Sequence, residues 1–259
     1  MTQAERRITL TKRLLDEQPR YRKMNVPHDK MEQKQLLRSL MNVRLPQRLS
    51  DDLLAMQDEY LREELAQKGI TDIDDLTPIA DGMYLWQGDI TSLRCDAIVN
   101  AANSGMTGCY VPCHRCIDNC IHTYAGMQLR LECAAIMQEQ GHEEETGRAK
   151  ITGAYNLPCK YILHTVGPII TGPLTEQDEG LLASCYRSCL ELAEQHSVQS
   201  IAFCCISTGE FHFPNDRAAQ IAVQTVKQYN EQKHSKIKVI FNVFKNVDYE
   251  IYRNLLTTN

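Results

Sequence analysis

The chain has 259 residues, 43% hydrophobic and 24% charged, enough to bury one sizeable core and carry a smaller appendage. A formal charge of -5 and a sequence pI near 5.9 argue against a general nucleic-acid or anionic-membrane binder. The amino end, MTQAERRITLTKRLLDEQPR, has no apolar h-region, and no apolar run nears the roughly 18 residues of a membrane span; a cytoplasmic location is expected.

In chain order, residues 1–80 read as a helical extension. Thr2 with Glu5 makes a capping-box pattern. Asp29 caps a segment whose Leu36, Leu37, Leu40 and Met41 form an apolar face. Ser50 caps another, with Leu53, Leu54, Leu61 and Leu65 inside and Gly69 as the stop. Polar or proline-containing stretches at 17–28, 44–49 and 70–78 separate them. No catalytic motif falls here, so a packing unit or partner surface is expected.

Residues 81–259 alternate short β-branched runs with helical periods. Strands are predicted at 83–86, 96–100, 149–156, 161–166, 200–207 and 238–244. One helix is predicted over 117–140, its stripe Ile121, Ala125, Leu129, Cys133, Met137 stopping at Gly141. A second, at 179–196, carries Leu182, Cys185, Cys189, Leu192 and Ala193. A third begins after Asn215, with Ala218, Ile221, Ala222, Thr225 and Tyr229. This alternation gives an α/β fold with a mainly parallel sheet covered on both faces. Ligands of such sheets settle at the carboxyl ends of the strands. Four segments sit there: 88–91, 100–105, 165–168 and 207–211. Each pairs a small residue with a hydrogen-bonding side chain. Singly each reads as a turn; together they suggest a nucleotide-like ligand whose phosphates meet consecutive N–H groups.

Between Gly108 and His122 lie Cys109, Cys113, His114, Cys116, Cys120 and His122. Eleven cysteines, an odd count, with no export signal, disfavour a disulfide framework. Cys185, Cys189, Cys204 and Cys205 read as small buried hydrophobes. The dense cluster points to metal, because zinc prefers thiolate and imidazole in a tetrahedron. On spacing alone Cys113 and Cys116 form a CxxC pair, with Cys120 and a histidine closing a structural knuckle. A redox CxxC has the wrong flanking pattern.

Five ordered motifs make the region resemble a macrodomain, the ADP-ribose-binding fold: QGDIT (87–91), DAIVNAANS (96–104), CIHTYAG (120–126), GRAKITGAYNLPCKYILHTVGP (147–168) and ISTGEF (206–211). The resemblance implies a three-layer α/β/α macrodomain over 81–259 with a central mixed, mainly parallel sheet. It implies that Asp89 and Ile90 receive the adenine end, and that Ser207, Thr208, Gly209, Glu210 and Phe211 wrap the pyrophosphate. Asn103, Cys116, Ile117 and Asp118 would meet the distal ribose. Ordinary hydrolytic macrodomains have glycines between NAAN and the helix; here a Cys/His loop replaces them. With the helical extension, this is similar to the zinc-containing macrodomain protein-ADP-ribose hydrolases, whose signature implies Cys109, His114 and Cys116 as metal ligands. Cys113 and Cys120 fall at its variable positions, and His122 becomes a core or supporting histidine.

Three ligands leave a fourth zinc position open, as in catalytic sites. Such a zinc would polarise a ribose oxygen or ester carbonyl, or activate a water. Asp118, expected in the loop after Cys116, would act as general base, or cap the following helix. Asn103 would fix the distal ribose. The implied function is zinc-dependent removal of mono-ADP-ribose from protein side chains, ester-linked on Asp or Glu. Two alternatives stand beside it: a non-catalytic reader with a structural zinc, and a hydrolase of O-acetyl-ADP-ribose. Relatives resemble partners of a sirtuin-type ADP-ribosyltransferase acting on a lipoyl carrier protein.

Overall fold

The computed structural model describes residues 1–257, so the last two residues of the 81–259 unit lie outside the described residues. The amino-terminal pattern becomes three helices: α1 (Gln3–Glu17), α2 (Lys30–Val43) and α3 (Asp51–Lys68). Thr2 and Glu5 cap α1 reciprocally, and the Asp29 carboxylate accepts from Met31 and Glu32 N–H to start α2. Ser50 occupies the cap position of α3 but makes no side-chain cap bond; Asp51 and Asp52 supply the favourable negative charge instead. Gly69 ends α3 at φ +91°. Leu10, Leu14, Leu37, Leu40, Leu53 and Leu61 form an apolar core of their own, which Met127 from the main body joins.

After a two-residue strand β1 (Thr71–Asp72), the main sheet begins with β2 (Met83–Gln87). A second short strand, β3 (Leu93–Arg94), pairs with β1 in parallel, a small ribbon that the polar 70–78 stretch did not announce. The sheet continues through β4 (Ala97–Ala102), β5 (Ala149–Gly153), β6 (Tyr161–Val166), β7 (Ser200–Phe203) and β8 (Lys238–Val243). Its order is β2-β8-β7-β4-β6-β5; every neighbouring pair is parallel except β5 with β6. β4, β7 and β8 are almost continuously buried, which is how strands read when helices cover both faces.

The helices of this layer are α4 (Ile117–Ala125), α5 (Met127–Gln140), α6 (Glu176–Gln195), α7 (Asn215–Lys233) and α8 (Asn246–Thr257). The single helix expected over 117–140 is two. Gly126 breaks it at φ +107°, and a β-carbon there would lie 2.5 Å from Gln128 Oε1 and 2.8 Å from Gln57 Nε2. The i+4 stripe survives the break, with Ile121, Ala125, Leu129 and Cys133 all buried. Thr175 with Asp178 starts α6 three residues earlier than its apolar pattern suggested, and α8 is an element the sequence pattern did not isolate. Strand 149–156 stops at Gly153, where Ala154–Leu157 turns with Tyr155 at φ +54°. Strand 200–207 stops at Phe203, freeing Cys204–Phe213 as a loop. Among the described residues, no helix is long and apolar enough to cross a membrane.

Candidate active site

Five parallel strands place their carboxyl ends along one edge, and the motif residues sit on it in the sheet's own order. Asp89 follows β2, Ser207–Phe211 follows β7, and Asn103 follows β4. From β2 to β4 is three inter-strand steps, about 14 Å at the usual spacing. The loops after β6 and β7 touch: a β-carbon on Gly167 would collide with Ser207 Oγ, so only glycine fits there. Ser207 itself is held at φ +65°. The loop folds back through Phe213 N–H to Ser207 O (3.0 Å) and His212 N–H to Gly209 O (3.2 Å). Among the described residues, the amides of Gly209, Glu210 and Phe211 donate to no backbone carbonyl, leaving three N–H groups on one short turn.

Asp89 starts the turn after β2, its Oδ1 accepting from Thr91 N–H (2.9 Å) and Thr91 Oγ (2.6 Å). Lys68 from α3 pairs with its other oxygen. Burial raises its pKa, but these partners outweigh burial and hold it below the ordinary carboxylate value. A base amino group approaching Asp89 must therefore share it with Lys68. Ile90 is buried in that turn, at 1% exposure for the residue as a whole.

Asp118 is not in the loop. It lies in the first turn of α4, and the helix N-cap is Cys116, whose Sγ accepts from Asn119 N–H at 3.4 Å. The Asp118 carboxylate is buried and takes Asn100 Nδ2–H on Oδ1 (2.8 Å) and Asn103 Nδ2–H on Oδ2 (3.2 Å). Burial pushes its pKa up to about 6, partly offset by Asn100, by the Arg130 charge and by Asn103. A cation nearby would pull it down again. Asn103 also donates to Gly108 O (3.2 Å) and accepts Gly105 N–H (3.0 Å), so one amide ties the post-strand turn to both the carboxylate and the Cys/His loop.

Behind Asp118 runs a chain of buried polar groups that the motif reading missed. The second N–H of Asn100 Nδ2 donates to His164 Nδ1 (3.1 Å), which leaves the proton on His164 Nε2, facing Thr152 Oγ at 2.9 Å. The ionised Asp118 carboxylate only accepts, so the Asn100 amide nitrogen faces it, and that orientation makes His164 Nδ1 the acceptor of the second N–H. A signal was present: Asn100 stands alone as a polar residue in the run AIVNAA, and His164, next to Thr165, interrupts the run YILHTV. His122 lies beside them, 3.6 Å from Asp118 Oδ1, and its ring blocks any side chain at Gly108, where a β-carbon would come within 2.7 Å. His122, Cys133 and His164 bring one ligand atom each within 4.8 Å. We assign them no metal, because both nitrogens of His164 are committed.

Burial drives His164 down to about 4 and His122 well below the ordinary imidazole value. An unfolded histidine titrates near ~6.5, so between there and about 4 the unfolded chain binds the extra proton. The stability His164 contributes is therefore full above that window and lost as pH falls through it. In chelator-containing buffer, His164→Gln should cost about 2–3 kcal/mol less at pH ~4.5 than at pH ~7.5, by urea unfolding. A penalty that does not change with pH would contradict a neutral buried His164.

Cys109, His114 and Cys116 place Sγ, a ring nitrogen and Sγ all within 4.8 Å of one another. Cys109 Sγ stands 3.6 Å from His114 Nδ1. A tetrahedral zinc with ~2.3 Å thiolate bonds separates its sulfurs by roughly 3.8 Å, so the donor set fits zinc after a small contraction. Burial first, then the neighbouring Cys109 and Asp118, raises the Cys116 thiol to about 12 without a cation. Cys113 and Cys120 point elsewhere: Cys113 Sγ meets Ser39 Oγ (3.2 Å), and Cys120 Sγ receives Arg38 (3.6 Å). Glu210, largely exposed, sets its Oε1 3.6 Å from His114 Nε2 and so brings the 207–211 loop against the Cys/His loop. Ile117 is half-buried at the start of α4.

The Macro domain family matches residues 99–222. A protein-ADP-ribose hydrolase of Treponema medium is 59% identical, the alignment covering 99% of this chain and 100% of that one. One from Staphylococcus aureus (strain MSSA476) is 54% identical over 85% of this chain and 83% of its own. The chain belongs to the macrodomain family. A Trypanosoma brucei macrodomain solved in complex with ADP-ribose superposes on this macrodomain with a TM-score of 0.66 at 30% identity, covering 85% of this chain and 94% of that one.

Proposed function

We propose that this macrodomain is a zinc-dependent hydrolase that releases mono-ADP-ribose from protein side chains, ester-linked on Asp or Glu. The observation that carries the reading is one juxtaposition: a buried carboxylate, Asp118, held by Asn100 and Asn103, beside a three-member Cys/His/Cys donor set, one ligand short of a zinc tetrahedron. The names of the Treponema and Staphylococcus relatives support the hydrolase class, and the T. brucei complex supports ADP-ribose as the bound group.

The ligand would lie across the strand ends. Asp89 and the Ile90 backbone take the adenine end, with exposed Phe244 after β8 beside them. The free amides of Gly209, Glu210 and Phe211 take the diphosphate, while Thr208 and Ser207 shape that turn. Asn103 and the Cys116–Asp118 turn face the distal ribose. Binding along this length supplies the remote energy that positions the scissile bond. Asp118, whose oxygens already accept two amide protons, takes a proton from the attacking water. Cys109, His114 and Cys116 would hold the zinc, which supplies Lewis-acid polarisation of the ribose or ester oxygen when bound.

A peptide carrying ADP-ribose on glutamate, one carrying it on arginine, and O-acetyl-ADP-ribose separate the readings when incubated with purified protein. ADP-ribose release is expected from the glutamate ester and none from the arginine N-glycoside. Tight ADP-ribose binding with no release from any of them would mean a reader. Release from the small acetyl ester alone would move the substrate class to O-acetyl-ADP-ribose. A sirtuin-type transferase acting on a lipoyl carrier protein is the source of substrate that the family resemblance suggests, and such a carrier is the natural next substrate to try.

A further inference from the structure

The loop from Thr107 to Cys116 carries all three proposed metal ligands and has no regular secondary structure. Left alone, a loop of this length has many conformations, and ordering it costs backbone entropy at every residue. Part of what orders it comes from outside the strand-and-helix layers. On α2, Gln35, Arg38, Ser39 and Asn42 stand at i, i+3, i+4 and i+7, the spacing of one helix face. The sequence pattern gives this helix only as part of a packing unit or partner surface and assigns the stripe no partner. In the structure it lies against the Cys/His loop.

The contacts are specific. Arg38 Nη2 donates to His114 O (2.7 Å) and to Asn119 Oδ1 (2.9 Å). Asn119 then turns its Nδ2 to Val111 O (2.9 Å) and Cys109 O (3.3 Å), and its backbone N–H to Cys116 Sγ. One guanidinium therefore reaches the carbonyl of one proposed ligand directly and, through Asn119, the other two: Cys109 by the side-chain amide and Cys116 by the backbone N–H. Asn42 Oδ1 accepts Cys113 N–H (2.9 Å), where the chain turns at φ +53°. Ser39 Oγ and Gln35 O meet Cys113 Sγ at 3.2 and 3.4 Å. From the other side, buried Arg130 on α5 joins Thr107 O (2.7 Å) to the end of α2, at Asn42 O (2.7 Å) and Arg44 O (2.6 Å), and stacks under Tyr110.

We infer that α2 of the helical extension is a working part of the metal centre, with Arg38 and Asn42 as positioning residues that hold the Cys109–Cys116 loop in ligand geometry and so set its affinity for zinc. The extension thereby acquires a task that its sequence did not declare. The inference rests on the Cys/His/Cys metal centre proposed above, but its structural half stands apart from it: the loop is ordered by α2 whether or not zinc is bound.

The test uses the full chain as Arg38→Ala, Arg38→Lys and Asn42→Ala beside the unaltered protein. Two readouts are taken: zinc affinity by competition with a chromogenic chelator, and amide hydrogen exchange of residues 108–120 in metal-free protein. Outer partners of metal ligands are worth about 10–100-fold in affinity, so Arg38→Ala should weaken zinc binding by that factor. It should also speed exchange in the loop while the sheet stays protected. Arg38→Lys, with a point charge instead of a fork, should fall between. Unchanged zinc affinity together with unchanged loop exchange overturns the inference. If the unaltered protein binds no zinc, the metal reading of the site fails, and loop exchange alone decides whether α2 orders the loop. If Arg38→Ala loses its global fold, Arg38→Lys is the deciding variant, and wild-type values for it in both readouts count against the inference.

Discussion

Asp118→Asn is expected to lower kcat for ADP-ribose release by about 10²–10⁴, the usual worth of a general base, while the dissociation constant for free ADP-ribose changes little. The split follows from the geometry. The carboxylate sits behind Asn103 and beside the Cys/His donor set, three strands from Asp89 and one from the Ser207–Phe211 loop. Most of the binding surface is therefore untouched. The same substitution should leave the metal-free protein as stable as before, or more so. Asp118 is a carboxylate held in a buried site that favours its protonated form, and a neutral isostere avoids that cost, in the manner of strained catalytic groups generally. Its two amide donors set the limit on the gain, since the new side-chain amide nitrogen, facing Asn103, would lose one hydrogen bond. Kinetics and melting temperature together check this. A proportional loss of kcat and of melting temperature would make Asp118 structural.

Removing the metal should cost as much. Polarisation by a bound cation is worth several kcal/mol, or about 10²-fold and more in rate. Chelation of the wild type should reproduce that loss. Cys116 permits a sharper variant because it has two roles that can be separated. Its Sγ caps α4 by accepting from Asn119 N–H, and it belongs to the donor set. Serine is a preferred N-cap but a poor zinc ligand beside thiolate. Cys116→Ser should therefore fold with a near-wild-type melting temperature in the absence of metal, yet lose zinc and activity together. Cys116→Ala should lose both and also about 1 kcal/mol of stability for the missing cap. Cys113→Ser and Cys120→Ser should keep the metal, because their sulfurs face Ser39 and Arg38. Metal analysis of the purified variants reads all four.

The alternation of β-branched runs and helical periods was enough to read the main sheet, its flanking helices other than α8, and the edge formed by the strands' carboxyl ends. Each strand of the main sheet begins within a residue of where its apolar run begins, because burial on both faces demands a continuous run. The strand ends were less legible: β5 and β7 stop where Tyr155 and the Cys204–Phe213 loop turn, and nothing in an apolar run marks that point. Gly126 was legible as a residue but not as a break, since the i+4 stripe passes through it undisturbed and only its φ of +107° separates α4 from α5.

The site was legible to the extent that its chemistry is local. The residues at the strand ends are contiguous in the sequence, and so is the Cys/His cluster. Spacing alone left six side chains eligible in that cluster; the fold separates them by which way each points. Arg38, Asn42 and Arg130 were not legible as site residues; Asn100 was read only as the start of the 100–105 segment, and its link to Asp118 and His164 was not. Much of what they do depends on long-range pairings, such as Arg38 with His114 across 76 positions and Asn42 with Cys113 across 71. A polar stripe on a helix looks solvated until its partner is placed beside it.

The central claim is that the Cys/His/Cys set and Asp118 act on one ADP-ribosyl group. It is tested most directly by the initial rate of ADP-ribose release from a glutamate-linked substrate, measured at a series of zinc occupancies from chelated to stoichiometric. The expected rate is proportional to occupancy, vanishes with the metal and returns when zinc is restored, with Asp118→Asn flat and near zero throughout. Full-rate release from the chelated protein would contradict it.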